Sequence, residues 1–249
     1  MSMQAKLTKR QRRQLRREGN IEPLRPSKTK QSFKLKNIQP ITSNQETVFE
    51  EWNDGQNLLL HGVAGTGKTF LGFYLGLAEV LEADSPYNSV TIVRSAVPTR
   101  DMGFLPGNLK EKSRAYELPY YAIATELYGR GDAYELLKDR NNVEFITTSH
   151  VRGITLQNTI VVVDEIQNLT AHELDSIITR CGKNCRIIFC GDFRQNDLEG
   201  QGEDSGVKWF MRIISKMSMF SFVEFDNDDI VRSKLVKEYI ILKEKHGNG

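Results

Sequence analysis

Cysteine is scarce, with three in 249 residues, and that scarcity excludes a disulfide framework. A small, odd cysteine count suits a reducing compartment, and a cytoplasmic location is expected. No apolar run approaches the roughly 18 residues that a membrane span requires, so no membrane partner is expected. The N-terminus lacks the apolar stretch of a secretory signal. It is Arg-rich and acid-poor like a mitochondrial presequence, yet lacks the apolar face and serine content of one. His61, His150, His172 and His246 show no metal-ligand spacing. Among Cys181, Cys185 and Cys190 only the first two are spaced as a zinc pair, and Cys190 falls in an apolar run, so structural thiols are expected. What remains is 39% hydrophobic and 27% charged residues, the composition of one large globular domain with a sizeable core.

Charge is unevenly spread. The net +2 conceals a segment, residues 1–36, with twelve basic and two acidic side chains (+10), set against 22 basic and 30 acidic (−8) in the remainder. A basic arm on an acidic body suits an anionic polymer, with a solvated tail of no role as the alternative. Lys6 to Arg17 has helix formers but only Leu7 and Leu15 as apolar stripe, so it is expected to stay disordered until bound. Residues 1–39 read as an arm and 40–245 as a single domain. The expected partner is nucleic acid, RNA or DNA, in single-stranded form.

From residue 40 short apolar runs alternate with longer amphipathic ones. Strands are expected at 58–61, 90–95, 143–147, 159–164, 186–191 and 220–225. Helices are expected at 45–52, 68–81, 109–128, 171–180, 206–217 and 230–243. This alternation predicts an α/β domain, a mainly parallel sheet with helices on both faces.

The octapeptide Gly62-Val63-Ala64-Gly65-Thr66-Gly67-Lys68-Thr69 joins the first strand to the second helix and fits G-x-x-x-x-G-K-[ST] at every constrained position. Glycines let the backbone wrap a polyphosphate while N–H groups at the helix start point at the anion. Lys68 is then expected to reach the β- and γ-phosphates of ATP, and Thr69 to ligate Mg²⁺. About a hundred residues on, Ile160-Val161-Val162-Val163 ends in Asp164 and Glu165. Asp164 is the expected Mg²⁺ ligand and Glu165 the general base, because a carboxylate committed to a metal does not readily take a proton. The next strand runs into Gly191-Asp192-Phe193-Arg194-Gln195, a loop expected to border the nucleotide, where Gln195 senses the γ-phosphate or positions water. Two rivals stay open at this point: a binding module with nucleotide as a regulatory ligand, and a P-loop kinase.

Taken together these segments resemble the PhoH family of P-loop ATPases, relatives of superfamily-one helicases. The resemblance rests on Gly62–Thr69, Gly103-Phe104-Leu105-Pro106-Gly107, Leu156-Gln157-Asn158-Thr159 leading into Val163-Asp164-Glu165, Gln167-Asn168, Thr179-Arg180, Gly191-Asp192 with Gln195, and Asp229-Ile230-Val231-Arg232. It implies a P-loop NTPase of RecA-like form that hydrolyses ATP, acts on nucleic acid and assembles as a homo-oligomer, with a hexameric ring as one form. It further implies that Gln45 reads adenine with paired donor and acceptor. With one motor domain per chain, an arginine on a neighbouring subunit would stabilise the transferred phosphoryl. Arg232 and Arg180 stand at family positions for that role, Arg232 first. The chain departs from the pattern at Ile166, where alanine is usual, and at Asn196 before Asp197.

Overall fold

All strand pairs in the sheet are parallel, so every connection must cross over one of its faces. The computed structural model describes residues 33–95, 109–194 and 206–246, without the side chains of 109–113. The chain divides into Met1–Lys34 and Leu35–Gly249, and the second unit carries the sheet. Its elements run α1 (Ser43–Asn53), β1 (Asn57–Gly62), α2 (Lys68–Val80), β2 (Ser89–Arg94), α3 (Leu109–Tyr128), α4 (Ala133–Asp139) and β3 (Val143–Thr147). Then follow α5 (Thr148–Val151), β4 (Thr159–Val163), a 3₁₀ turn (Ile166–Asn168), α6 (Ala171–Ile178), β5 (Cys185–Gly191), α7 (Gly206–Ile214), β6 (Phe220–Phe225) and α8 (Lys234–His246). Strand order is β3-β2-β4-β5-β1-β6. This is the α/β, RecA-like parallel sheet of a P-loop NTPase that the sequence predicts.

The two faces follow from alternation along each strand. Val161, Val163, Leu59 and Phe189 point into a core closed by Leu174 and Ile177 of α6 and by Val207, Phe210 and Ile214 of α7. Ile160, Val162 and Ile188 point the other way, under α2. There Gly72 and Gly76, one turn apart, bring the helix close. A Cβ on Gly72 would stand 3.3 Å from Ile188 Cγ2 and 3.5 Å from Val162 Cγ1, and one on Gly76 would stand 3.3 Å from Ile160 Cγ2. Close contact over both faces leaves β4 buried at all five positions, four of them Val or Ile.

Register brings three strand ends to one edge. β5 lies between β1 and β4, pairing His61 with Gly191 and Phe189 with Val163. The loops after β1, β4 and β5 therefore emerge side by side, at the carboxyl edge where ligands bind parallel sheets.

Departures from expectation are local. Helices α4 and α5 and the 3₁₀ turn are too short for periodicity to distinguish them from connections. The last helix begins at Lys234 rather than at 230, because residues 229–231 are drawn into contacts with the body. Asp229 and Ile230 are buried, and the Val231 N–H donates to Gly65 O at 3.2 Å. Residues 36–39, which composition places in the arm, lie on the folded unit. There the Lys36 N–H donates to Leu127 O at 3.0 Å, and the Ile38 N–H to the Tyr74 hydroxyl at 3.1 Å. Among the described residues no helix is long and apolar enough to cross a membrane.

Gly62 ends β1 at φ +117°, and a Cβ there would stand 2.1 Å from Phe225 O on β6. Both the backbone conformation and the space forbid a side chain. Gly62→Ala is expected to cost more than ~2 kcal/mol of stability, read as a lowered urea midpoint with an unchanged m-value.

Candidate nucleotide site

Between β1 and α2 the chain makes a tight loop with positive φ at Gly62, Gly65 and Gly67. Lys68, the first residue of α2, folds its side chain back through that loop and is only 4% exposed. Its ammonium donates to Val63 O at 2.6 Å, Gly62 O at 3.3 Å and Thr66 Oγ1 at 3.2 Å, and pairs with Asp192 Oδ1 at 2.9 Å. A buried ammonium needs that many partners, and each is an oxygen that a phosphate oxygen can replace. Ala64 is exposed at the crest of the loop, while Thr66 is buried and bonds back to Val63 O at 3.1 Å.

Asp164 follows β4 directly and is buried with each carboxylate oxygen engaged. Thr69 Oγ1 donates to Oδ1 and the Tyr120 hydroxyl to Oδ2, both at 2.7 Å. Two hard oxygen donors, Thr69 Oγ1 and Asp164 Oδ1, thus converge beside the loop. That donor set fits Mg²⁺, which takes one or two protein oxygens and completes its octahedron with phosphate and water.

Glu165 turns away from Asp164 because its backbone sits at φ 56°, ψ 45°. Gln167 Nε2 donates to its Oε2 at 2.5 Å, and Arg94 at the end of β2 stands 3.8 Å from its Oε1. The other end of the same amide, Gln167 Oε1, accepts the Asp192 N–H at 3.0 Å. Gln167 thereby ties the loops after β4 and β5 together. Burial pushes the Glu165 carboxyl above its ordinary pKa, and the charges of Asp164 and Asp192 push the same way, against Arg94 and Gln167. One carboxylate is held by two hydroxyl donors, and its neighbour by an amide donor with a guanidinium nearby.

His61, an incidental residue by sequence, is buried at the end of β1 with its ring stacked 5.2 Å from that of Phe193. Burial lowers its pKa. Ile166, the departure from the family pattern, is fully buried, and its Cγ1 fills the space where a Cβ on Gly191 would stand, 2.7 Å away.

Three expected site residues have placements within the chain that the sequence does not indicate. Gln45 does not present a free amide. Its Oε1 accepts the Ile41 N–H at 3.0 Å, and its Nε2 donates to Thr66 O at 3.3 Å, so it braces the phosphate loop from α1. Arg232 lies against the phosphate loop of its own chain, its Cγ 3.1 Å from where a Cβ of Gly65 would stand. Arg180 is exposed just past α6, where its carbonyl accepts the Leu156 N–H near the starts of β4 and β5. That places it a strand length, on the order of 20 Å, from its own phosphate loop. Gln195 and the Gly103–Gly107 segment lie outside the described residues. Tyr120 and Arg94 carry no functional signal in the sequence, because their partners are distant in the chain, and Gln167 enters there only as part of the family resemblance, without its partners. Asp192 belongs to a loop expected near the nucleotide, but spacing alone does not reveal its pairing with Lys68.

The family model described as PhoH-like protein matches residues 37–243. The chain belongs to the PhoH family. It is 34% identical over 182 residues to a PhoH-like protein of Bacillus subtilis (strain 168), covering 72% of this chain and 55% of that protein. It is 32% identical over 208 residues to a PhoH-like protein of Mycobacterium tuberculosis (strain H37Rv), covering 82% and 57%. With Protein PhoH of Escherichia coli (strain K12) it shares 31% over 182 residues, covering 72% and 51%. The chain thus spans little more than half the length of these relatives. Among solved structures it overlaps the large terminase of a thermophilic bacteriophage at a TM-score of 0.49 and 14% identity, covering 85% of this chain and 51% of that one. That overlap is too loose to bear on function.

Arg94 carries a pH prediction. Glu165, the general base that the sequence predicts, would work only when ionised, and Arg94 favours that form. Arg94→Gln removes that charge, so the Glu165 pKa rises further and the acid limb of the turnover–pH profile moves to higher pH than in the wild type. Profiles of the two proteins measured side by side check the direction.

Proposed function

We propose that this PhoH-family chain hydrolyses ATP with Mg²⁺ and couples that hydrolysis to single-stranded nucleic acid held by its basic arm. The carrying observation is the division of labour at the end of β4. Asp164 is bonded to Thr69 beside the phosphate loop, while Glu165, one residue on, is turned aside and raised in pKa. A module that only binds nucleotide has no use for a separately held, proton-accepting carboxylate. Bound Mg²⁺ would neutralise charge developing on the phosphates. Lys68 binds the β- and γ-phosphates, exchanging Asp192 and loop carbonyls for phosphate oxygens. Glu165 takes the proton of the attacking water, with Gln167 and Arg94 fixing its orientation. Gln195 remains the candidate for ordering that water.

Gln45 acts on ATP indirectly in this reading, by setting the position of Thr66. Arg232 serves the nucleotide of its own chain, leaving Arg180 as the candidate for a neighbour's site. The reading includes a homo-oligomer, with a hexameric ring as one form. Its support is α8, a helix with no buried residue although it carries Leu235, Val236, Tyr239 and Leu242, 78%, 40%, 66% and 46% exposed. Apolar surface of that extent beside the phosphate loop suits a protein contact. A cytoplasmic setting accords with free thiols at Cys181, Cys185 and Cys190.

Glu165→Gln keeps the shape of the side chain and removes its basicity. It is expected to leave Mg·ATP binding intact and to slow phosphate release by about 10²–10⁴. Near wild-type turnover would move the base elsewhere.

Deletion of residues 1–34, at the boundary between the two units, removes eleven of the twelve basic side chains in the first 36 residues and spares Lys36 in the fold. The slope of log K against log[salt] for single-stranded RNA or DNA should flatten by about 0.7 for each phosphate no longer neutralised, while turnover without nucleic acid holds. Equal slopes for the two proteins would make the arm a bystander.

A further inference from the structure

Tyr120 holds the Asp164 carboxylate from outside the nucleotide motifs. It sits mid-way along α3, fully buried, in an aromatic wedge between Phe73 of α2 and Phe145 of β3, with ring centroids 6.1 and 6.0 Å away. Nothing in the packing calls for a hydroxyl there, since phenylalanine fills the same space. The hydroxyl instead donates to Asp164 Oδ2 at 2.7 Å across a separation of 44 residues.

Asp164 is constrained at three points. Its N–H donates to Val93 O on β2 at 2.9 Å, Thr69 takes Oδ1, and Tyr120 takes Oδ2. With Oδ2 committed to Tyr120, the carboxylate cannot turn about its Cβ–Cγ bond without breaking a buried hydrogen bond. Oδ1 is therefore the oxygen left facing Thr69 and the phosphate loop.

We propose that Tyr120 is a positioning residue that restricts Asp164 to one-oxygen contact and thereby tunes the metal site toward Mg²⁺ over larger divalent cations. The physical basis is the difference between the ions. Mg²⁺ demands a near-ideal octahedron at about 2.0–2.1 Å and takes single carboxylate oxygens. Ca²⁺ accepts both oxygens of a carboxylate at about 2.3–2.6 Å, with more ligands and looser angles. A carboxylate pinned through its second oxygen serves the first ion and hinders the second. Removing the phenol hydroxyl frees Oδ2 and relaxes that discrimination.

The inference rests on the proposed nucleotide and metal site, and its test separates the two. A fluorescent ATP analogue is titrated into the full chain at fixed concentrations of Mg²⁺, of Ca²⁺, and with chelator in place of metal. In Tyr120→Phe the Mg²⁺ concentration for half-maximal enhancement of binding should rise about 3- to 10-fold. The corresponding Ca²⁺ concentration should stay level or fall, and metal-free binding should match the wild type. Asp164→Ala is the reference. In its background, adding Tyr120→Phe should change neither metal dependence, because Tyr120 acts through a carboxylate no longer present. Equal losses with both metals, or a loss that persists with chelator, would mean a packing role and overturn the proposal. An unchanged Mg²⁺ dependence in Tyr120→Phe would also overturn it. If Asp164→Ala itself leaves metal dependence unaltered, the metal site has failed and not only the role of Tyr120. Should Tyr120→Phe unfold, Tyr120→Trp fills the wedge with a donor at a different place. It is then expected to lose the Mg²⁺ preference while keeping metal-free binding, and retention of the preference would contradict the proposal.

Discussion

The structure turns on one buried cation. Lys68 places its ammonium inside a loop of the chain's own backbone, where an unpaired charge would be prohibitively costly. Its partners come from three parts of the sequence brought together by the parallel sheet: Gly62 and Val63 closing β1, Thr66 in the loop, and Asp192 closing β5. Phe225 at the end of β6 lies beneath, its ring centroid 5.9 Å from the ammonium, and its carbonyl fixes Val63 N–H at 3.0 Å. Shift any of these strands in register and the charge loses its partners. The position of β5 between β1 and β4 is thus a requirement of the site as well as of the core.

The loop is braced from outside as well. Gln45 holds the Thr66 carbonyl and the Val231 N–H holds that of Gly65, so α1 and the segment after β6 grip consecutive peptide groups. Asn44 and Asp229 join these braces to each other, Nδ2 to Oδ2 at 2.7 Å. A change at the phosphates would therefore be felt at the root of α8. On the other side, Gln167 and Tyr120 reach the two carboxylates after β4 from the 3₁₀ turn and from α3. Neither carboxylate is left to find its own geometry.

Much of this is legible in the sequence, and the reasons differ by feature. Strands such as Val143–Thr147 and Phe220–Phe225 stand at their expected bounds because short apolar runs between polar turns have few other ways to be buried. The phosphate loop is legible because glycine at φ +79° and +91°, in Gly65 and Gly67, is a backbone demand written directly in residue identity. Long-range polar partnership is not. Tyr120 reads as one more apolar position on a helix, since periodicity reports burial and is silent about where a hydroxyl points. Gln45 shows the converse: its amide suits a base edge, but the same donor and acceptor fit two backbone groups nearer at hand. The start of α8 departs from its expected place because buried Asp229 and the Val231 bond to Gly65 outweigh a periodicity that continues through them.

The central claim is that Lys68 and its loop bind the phosphates of Mg·ATP. Calorimetric titration of Mg·ATP into the wild type and into Lys68→Ala tests it most directly, because no other cation in the loop can replace the missing charge. The account predicts saturable binding to the wild type and none in the variant, with the fold preserved by far-ultraviolet circular dichroism. Equal affinity in a folded Lys68→Ala protein would contradict it.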